Sequence, residues 1–378
     1  MAMNNFVEFW DSLGYNRFFL VLLVITFAGH AVYMIYKAVL LMVNRKQGVA
    51  AEGEGVSVII TCSNKAELLE KNLEAFLTQD YPLFEVIVVD ECSEDDTQDL
   101  LSDLQQKYPH LKTSRIFPGT KFRCTKKIAI NIGVLAAQYD ILLFSEINCV
   151  PDSKQWIRCM QSYFEPNTAV VIGYSNYEAG NKGTGLPRYF RFLWFWKMLL
   201  LVRNGFYSVG NGYNMGYRKK YYLEKRGYTG NTQEYLGYDT EMVKVLSQKG
   251  KVKVVKDPES RVSIEEISPK IWENDFSYYY ATRRRWPLPV RMRISLDFVV
   301  ECVFYLLAFY FIFWSQLHKY VLIPLVLTFL IDFMVINLCL KHLGQKKLFI
   351  TSLTVNTFGF IYRWYYSIYS IFTSRKWR

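Results

Sequence analysis

The chain has only seven cysteines in 378 residues, at positions 62, 92, 124, 149, 159, 302 and 339, and no CxxC pair. An odd count without paired spacing argues against a disulfide framework and a zinc site, and for a reducing compartment. No charged n-region precedes the first apolar run, since Arg17 is the first basic residue. No small-residue cleavage site follows that run, so the expectation is a membrane anchor and not a cleaved leader. There is no internal repeat and no low-complexity tract. Acidic residues are in deficit, 34 against 45 Lys and Arg, for a formal charge of +11. The basic excess lies beside apolar runs, which suits anionic lipid headgroups or a diphosphate and speaks against nucleic acid as a partner.

Apolar and aromatic residues are plentiful, at 51% and 17%. They concentrate at the two ends, while the middle reads as a soluble α/β domain. Residues 18–36 are long enough to span a bilayer as a helix. His30 inside that run is expected to make a helix–helix or water contact. Lys37, Arg45 and Lys46 follow it and only Arg17 precedes it. The positive-inside bias therefore predicts an outside N-terminus and a cytoplasmic middle domain, in an inner or plasma membrane. Residues 47–55 read as a linker.

Two further spans are predicted over 298–314 and 320–340. Asp332 lies deep in the second, where an unpaired carboxylate is costly; Arg363 is the candidate partner. The aromatic segment 348–372 and the basic end (Arg375, Lys376, Arg378) read as interfacial and cytoplasmic. The domain boundaries follow: an anchor over 1–46, an α/β domain over 47–290, and membrane plus interfacial helices over 291–378.

In the middle, strands over 56–61, 85–89, 140–144, 169–174 and 251–255 alternate with helices over 64–78, 95–108, 126–138, 238–248 and 267–285. That alternation predicts a mostly parallel sheet with ligands at the carboxyl ends of its strands. Residues 187–206 are rich in Phe, Trp and Leu but broken by Arg188, Arg191, Lys197 and Arg203. They suit the membrane interface, the alternative being a buried core helix. Residues 210–218 are glycine-dense, which suits tight turns or close backbone approach to a ligand.

One stretch concentrates the chemistry. The apolar run Ile141-Leu142-Leu143-Phe144-Ser145 ends in Glu146-Ile147-Asn148 and then Pro151. Residues i and i+2 of a strand share a face, so Glu146 and Asn148 would stand together where a strand meets a loop. Such a pair holds a metal ion or a polar ligand, or is simply a polar strand end before a turn.

The motifs fall in a telling order: Val56-Ser57-Val58-Ile59-Ile60-Thr61, Gln79-Asp80-Tyr81-Pro82, Val88-Val89-Asp90, Lys126-Lys127, Glu146-Ile147-Asn148, Gly216-Tyr217-Arg218, Tyr238-Asp239-Thr240-Glu241 and Arg283-Arg284-Arg285-Trp286. In that order they resemble the membrane-bound family 2 glycosyltransferases, whose catalytic domain has the GT-A fold, over roughly residues 50–290.

The resemblance implies an inverting transfer of a sugar from a nucleotide-diphosphate-sugar donor to a lipid-linked or membrane-presented glycan acceptor. Such a transfer must stabilise a diphosphate leaving group and deprotonate an acceptor hydroxyl. By the same resemblance Asp90, Lys126, Lys127 and Glu146 would hold the donor. Arg285 would pair with the diphosphate and Trp286 would face the acceptor. Asp239 would be the general base, with Glu241 as the fallback. Glu146 and Asn148 replace the family's D-x-D, where the divalent cation (Mg²⁺ or Mn²⁺) would sit. Tyr238 and Thr282 replace an acid and a Gln. Because of these departures, a degenerate relative that binds nucleotide or a partner without turnover is the alternative.

Overall fold

The computed structural model describes residues 10–43, 53–117, 125–178, 184–234, 236–265, 269–314 and 317–373. Arg45, Lys46, most of the linker, Cys124, the 46/47 boundary and the basic C-terminal residues lie outside them. In chain order the elements are α1 (Asn16–Met42), β1 (Val56–Cys62), α2 (Ala66–Leu77), β2 (Phe84–Glu91), α3 (Thr97–Lys107), β3 (Leu111–Ile116), α4 (Lys126–Ala136), β4 (Ile141–Glu146), β5 (Cys149–Pro151) and α5 (Trp156–Gln161). They continue with β6 (Thr168–Ile172), β7 (Ser175–Tyr177), α6 (Gly185–Arg203), β8 (Met215–Arg218), α7 (Lys219–Glu224), α8 (Thr240–Leu246), β9 (Lys251–Val254), β10 (Val262–Ile264) and α9 (Pro269–Arg283). The last three are α10 (Leu288–Trp314), α11 (His318–His342) and α12 (Phe349–Thr373).

These elements divide into two compact units. One takes in the described residues of Asn44–Trp286, His342–Lys346 and Tyr365–Arg378. Its main sheet runs β3-β2-β1-β4-β8-β6-β9, and a small second sheet runs β5-β10-β7. β1 is buried along its whole length and lies parallel to both β2 and β4. An unbroken apolar run is what a strand covered on both faces requires. Thr61 pairs with Glu146 and Cys62 with Asp90, so both acids stand at the carboxyl edge of the sheet. β8 then enters antiparallel to β4 and β6. On one face Leu69, Leu73 and Phe76 of α2 pack with Val58, Ile60 and Trp156 in the core.

Two strands in the main sheet were not expected. β3 (Leu-Lys-Thr-Ser-Arg-Ile) is the sheet's edge and buries only Leu111, so it lacks an apolar signature. β8 lies inside the glycine-dense segment and is buried throughout. The expectation for residues 187–206 is corrected outright. In α6 Tyr189, Phe192, Phe195, Trp196, Leu199 and Leu200 are all buried, so this is a core helix and not an interfacial one. Two of its three arginines, Arg188 and Arg191, turn inward too: Arg188 Nη2 donates to Gln345 Oε1 at 3.0 Å and to the Lys346 carbonyl at 2.6 Å.

The other unit takes in the described residues of Met1–Val43, Pro287–Lys341 and Lys347–Trp364. Three of its helices, α1, α10 and α11, are long and apolar enough to cross a membrane. α10 starts at Leu288, well before 298, with Pro289 in its first turn, where a missing N–H is harmless. Leu23, Phe304, Ala308, Phe311 and Val321 form this unit's core. The pairing expected for Asp332 is corrected. Its partner is His30, Nε2 to Oδ1 at 2.8 Å, while Arg363 pairs with Glu301 at 2.5 Å.

Candidate active site

A cavity of about 370 Å³ opens at the carboxyl edge of the main sheet. Four elements supply its chemistry. Glu146 and Asn148 come from the end of β4 and the turn after it, and Lys126 from the first turn of α4. Tyr238 and Asp239 precede α8, and Asn274, Asp275, Tyr278, Tyr279 and Thr282 face inward from α9.

Glu146 is the junction at one end. Its Oε1 is ion-paired with the Lys126 ammonium and accepts the Tyr238 hydroxyl at 3.2 Å. The same ammonium lies 4.8 Å from the centre of the Tyr238 ring, within cation–π range. Burial and the nearby carboxylates push the Tyr238 hydroxyl well above its ordinary value, so it remains a donor.

Asp239 stands at the other end, 7% exposed. Its Oδ1 accepts the Tyr278 hydroxyl at 2.7 Å, and that hydroxyl in turn accepts the Gly237 N–H at 3.0 Å. Burial pushes the Asp239 carboxyl above the ordinary aspartate value, and the Tyr278 bond holds the rise back in part. A carboxylate raised toward working pH is a better proton acceptor than a fully solvated one.

The glycine-dense segment explains itself here. A Cβ on Gly210 would lie 2.4 Å from the Asp239 carbonyl oxygen, and one on Gly212 would lie 2.4 Å from the Tyr238 hydroxyl. The segment is bare so that it can lie flat against these two residues.

The third wall was missed from sequence. Asp275 accepts the hydroxyls of Tyr177 at 2.7 Å and Tyr213 at 2.6 Å, and pairs with Arg191 at 2.6 Å. Arg191 also reaches Ser175 Oγ at 2.8 Å and lies over the rings of Tyr213 and Tyr177. With its lone pairs so engaged, Asp275 holds α9 to β7 and α6. Only three-dimensional convergence marks it, because no local motif surrounds it. An aromatic face completes the cavity. Trp286 stacks on Trp194 at 5.5 Å, and Tyr279 meets Trp194 edge-on at 4.3 Å. Trp286 is buried, yet among the described residues its indole Nε1 has no hydrogen-bond partner.

Four expected site residues do not line the cavity. Lys127 is fully buried and pairs with Glu241 at 2.8 Å. Glu241 also accepts from Asn231 at 2.6 Å and sits 3.7 Å from Arg285. Arg285 is half-exposed and pairs with Glu234 at 2.5 Å. Asp90 is fully buried; its oxygens take the Ser93 N–H at 2.9 Å and the Gln98 amide at 2.6 Å. It shapes the loop after β2, where Cys92 holds a left-handed φ of 60°.

Comparison with known proteins fits this architecture. Residues 57–224 match the family model for glycosyl transferase family 2, so the chain carries a domain of that family across this stretch. The matched range ends before Asp239 and Trp286. A Methanococcus voltae protein, dolichyl N-acetyl-alpha-D-glucosaminyl phosphate 3-beta-D-2,3-diacetamido-2,3-dideoxy-beta-D-glucuronosyltransferase, is 24% identical over 196 residues, 50% of this chain and 54% of its own length. Glycosyltransferase AglE of Haloferax volcanii is 31% identical over 137 residues, 35% of this chain and 43% of its own length. The matches thus span about half the length of these curated relatives. Among solved structures, the mannosyltransferase PcManGT from Pyrobaculum calidifontis, in complex with GDP-Man and Mn²⁺, superposes with a TM-score of 0.55 at 13% identity. That likeness covers 90% of this chain and 98% of the other, and it bears out the GT-A fold.

Proposed function

We propose that the chain is an inverting glycosyltransferase that moves a sugar from a nucleotide-diphosphate-sugar donor to a lipid-linked acceptor at the cytoplasmic face of a membrane. One observation carries this above the others: Lys126, Glu146 and the buried Asp239 line a single cavity at the carboxyl edge of a family 2 domain's sheet. The nucleoside would lie toward the loop after β2 that Asp90 shapes, and the diphosphate against Lys126. The acceptor hydroxyl would reach the sugar from the side of Asp239 and the aromatic face. In a single displacement its oxygen bonds to the anomeric carbon, the bond to the diphosphate breaks, and the proton passes to the Asp239 carboxylate. One base and no second nucleophile is what inversion needs.

The resemblance also implies a divalent cation, with Glu146 and Asn148 as its donors. The donor set does not fit one. Glu146 is already neutralised by Lys126, and the neutral Asn148 amide accepts the Cys149 thiol at 3.6 Å. Among the described residues no three His, Cys, Asp or Glu side chains are placed to hold a metal. No step is therefore routed through a metal.

Three apolar helices and the positive-inside bias support the membrane setting and the cytoplasmic orientation. The buried Asp239 with its raised pKa favours turnover over the non-catalytic reading. The test is a panel of nucleotide-sugars offered to the purified chain with extracted lipid acceptors, scored for nucleoside diphosphate release with and without Mg²⁺ or Mn²⁺. Neither transfer nor hydrolysis from any donor under any condition would sink the proposal.

A further inference from the structure

Resting on the glycosyltransferase reading above, we propose that the Lys126 ammonium is a built-in counter-cation for the donor's diphosphate, so that this chain binds nucleoside diphosphate without a divalent ion. Three observations converge. Lys126 is the first residue of α4, an 11-residue helix whose N-cap Thr125 accepts the Ile128 N–H through its side chain. The positive dipole end of that helix adds to the ammonium's field and favours an anion there. The ammonium lines the cavity, whereas the next residue, Lys127, is fully buried in a separate pair. And the carboxylate that would otherwise be a cation donor is the one Lys126 pairs with.

Charge decides between the two ligands. Lys126 offsets Glu146 and Arg191 offsets Asp275, so the charge left over is that of Asp239 at the other end of the cavity, and a dication arriving at Glu146 meets an ammonium first. Glu91 is hydrogen-bonded by Thr61, and burial raises its carboxyl above the ordinary glutamate value. An arriving diphosphate, in contrast, takes over the ammonium as Glu146 lets go, and the Tyr238 hydroxyl keeps Glu146 satisfied at 3.2 Å. The exchange trades one charge-assisted contact for another.

Binding of UDP, GDP and ADP to the detergent-solubilised full chain, by calorimetry in EDTA and in Mn²⁺, tests this. At least one nucleotide should bind in EDTA within about threefold of its affinity in Mn²⁺. Lys126→Met should weaken that binding in EDTA by about 10- to 100-fold, the loss expected for one charge-assisted hydrogen bond. Lys126→Arg should keep most of it. Freed of its ammonium, Glu146 in Lys126→Met should also acquire an Mn²⁺ response that the wild type lacks. A wild type that binds nucleotide only with Mn²⁺ overturns the counter-cation and leaves the glycosyltransferase reading standing. A wild type that binds no nucleotide under any condition overturns both. Should Lys126→Met fail to fold, the wild-type EDTA arm and Lys126→Arg still decide.

Discussion

Lys126 and Lys127 are consecutive, open the same helix, and each pairs with a glutamate, yet they occupy different worlds. Lys126 is a quarter exposed and meets Glu146 in the cavity; Lys127 is fully buried and meets Glu241 outside it. Asp239 and Glu241 show the same split, one lining the cavity and the other held by Lys127 and Asn231. Neighbouring helix positions point about 100° apart, so one backbone segment can serve two environments. Charge type alone therefore does not mark a functional residue. What separates the two sets is whether the partner leaves the group open to a ligand.

The largest effect that can sharpen this contrast is on transfer. Asp239→Asn should lower the transfer rate by roughly 10²- to 10⁴-fold, the usual worth of a positioned general base. Its thermal midpoint at neutral pH should not fall. Burial raises the folded-state pKa of Asp239, so the stability it lends is present at low pH and is lost as pH rises through that pKa. The amide lacks that loss. For the same reason, wild-type transfer should climb with pH over a range above that of an ordinary aspartate. If Glu241→Gln and not Asp239→Asn abolishes transfer, the two acids have been assigned the wrong way round.

Next in size is stability at the outer pair. Lys127→Met should destabilise the fold by roughly 1.5–3 kcal/mol in a denaturant titration, because it strips a charged partner from Glu241. Transfer per folded molecule should be retained. Lys126→Met should change stability by less than about 1 kcal/mol, since that pair is partly solvated. Equal destabilisation by the two variants would break the contrast. Smallest is Tyr238→Phe, which removes one long hydroxyl bond to Glu146 and should cost about 0.5 kcal/mol of stability. A large loss of nucleotide binding in that variant would instead place the hydroxyl on the ligand.

Much of the frame could be read in the sequence because its signals are local. The runs at Val56–Cys62, Phe84–Glu91 and Ile141–Glu146 announce buried parallel strands, and Glu146 at the end of the last marks the edge where the cavity opens. What escaped was non-local or ambiguous. β3 is an edge strand whose mixed residues carry no period. The aromatic richness of α6 suits a lipid interface and a packed core equally, and only its neighbours decide. Asp275 owes its position to Tyr177, Arg191 and Tyr213, which lie 98, 84 and 62 residues away in the chain. Lys127 and Glu241 were proposed for the site on resemblance, and nothing in sequence says which of two adjacent side chains turns away.

The bond between His30 and Asp332 has a consequence for how the protein is made. Its partners stand 302 residues apart, in α1 and α11. In the proposed membrane setting, a ribosome would deliver α1 to the bilayer long before α11 exists. Through that interval the imidazole lacks this carboxylate, and α1 must hold its place without it. Completion of the helix pair is therefore a late event of synthesis. Cysteines placed at 30 and 332 should cross-link in stalled nascent chains only when the stall lies far enough beyond 332 to clear the ribosome tunnel.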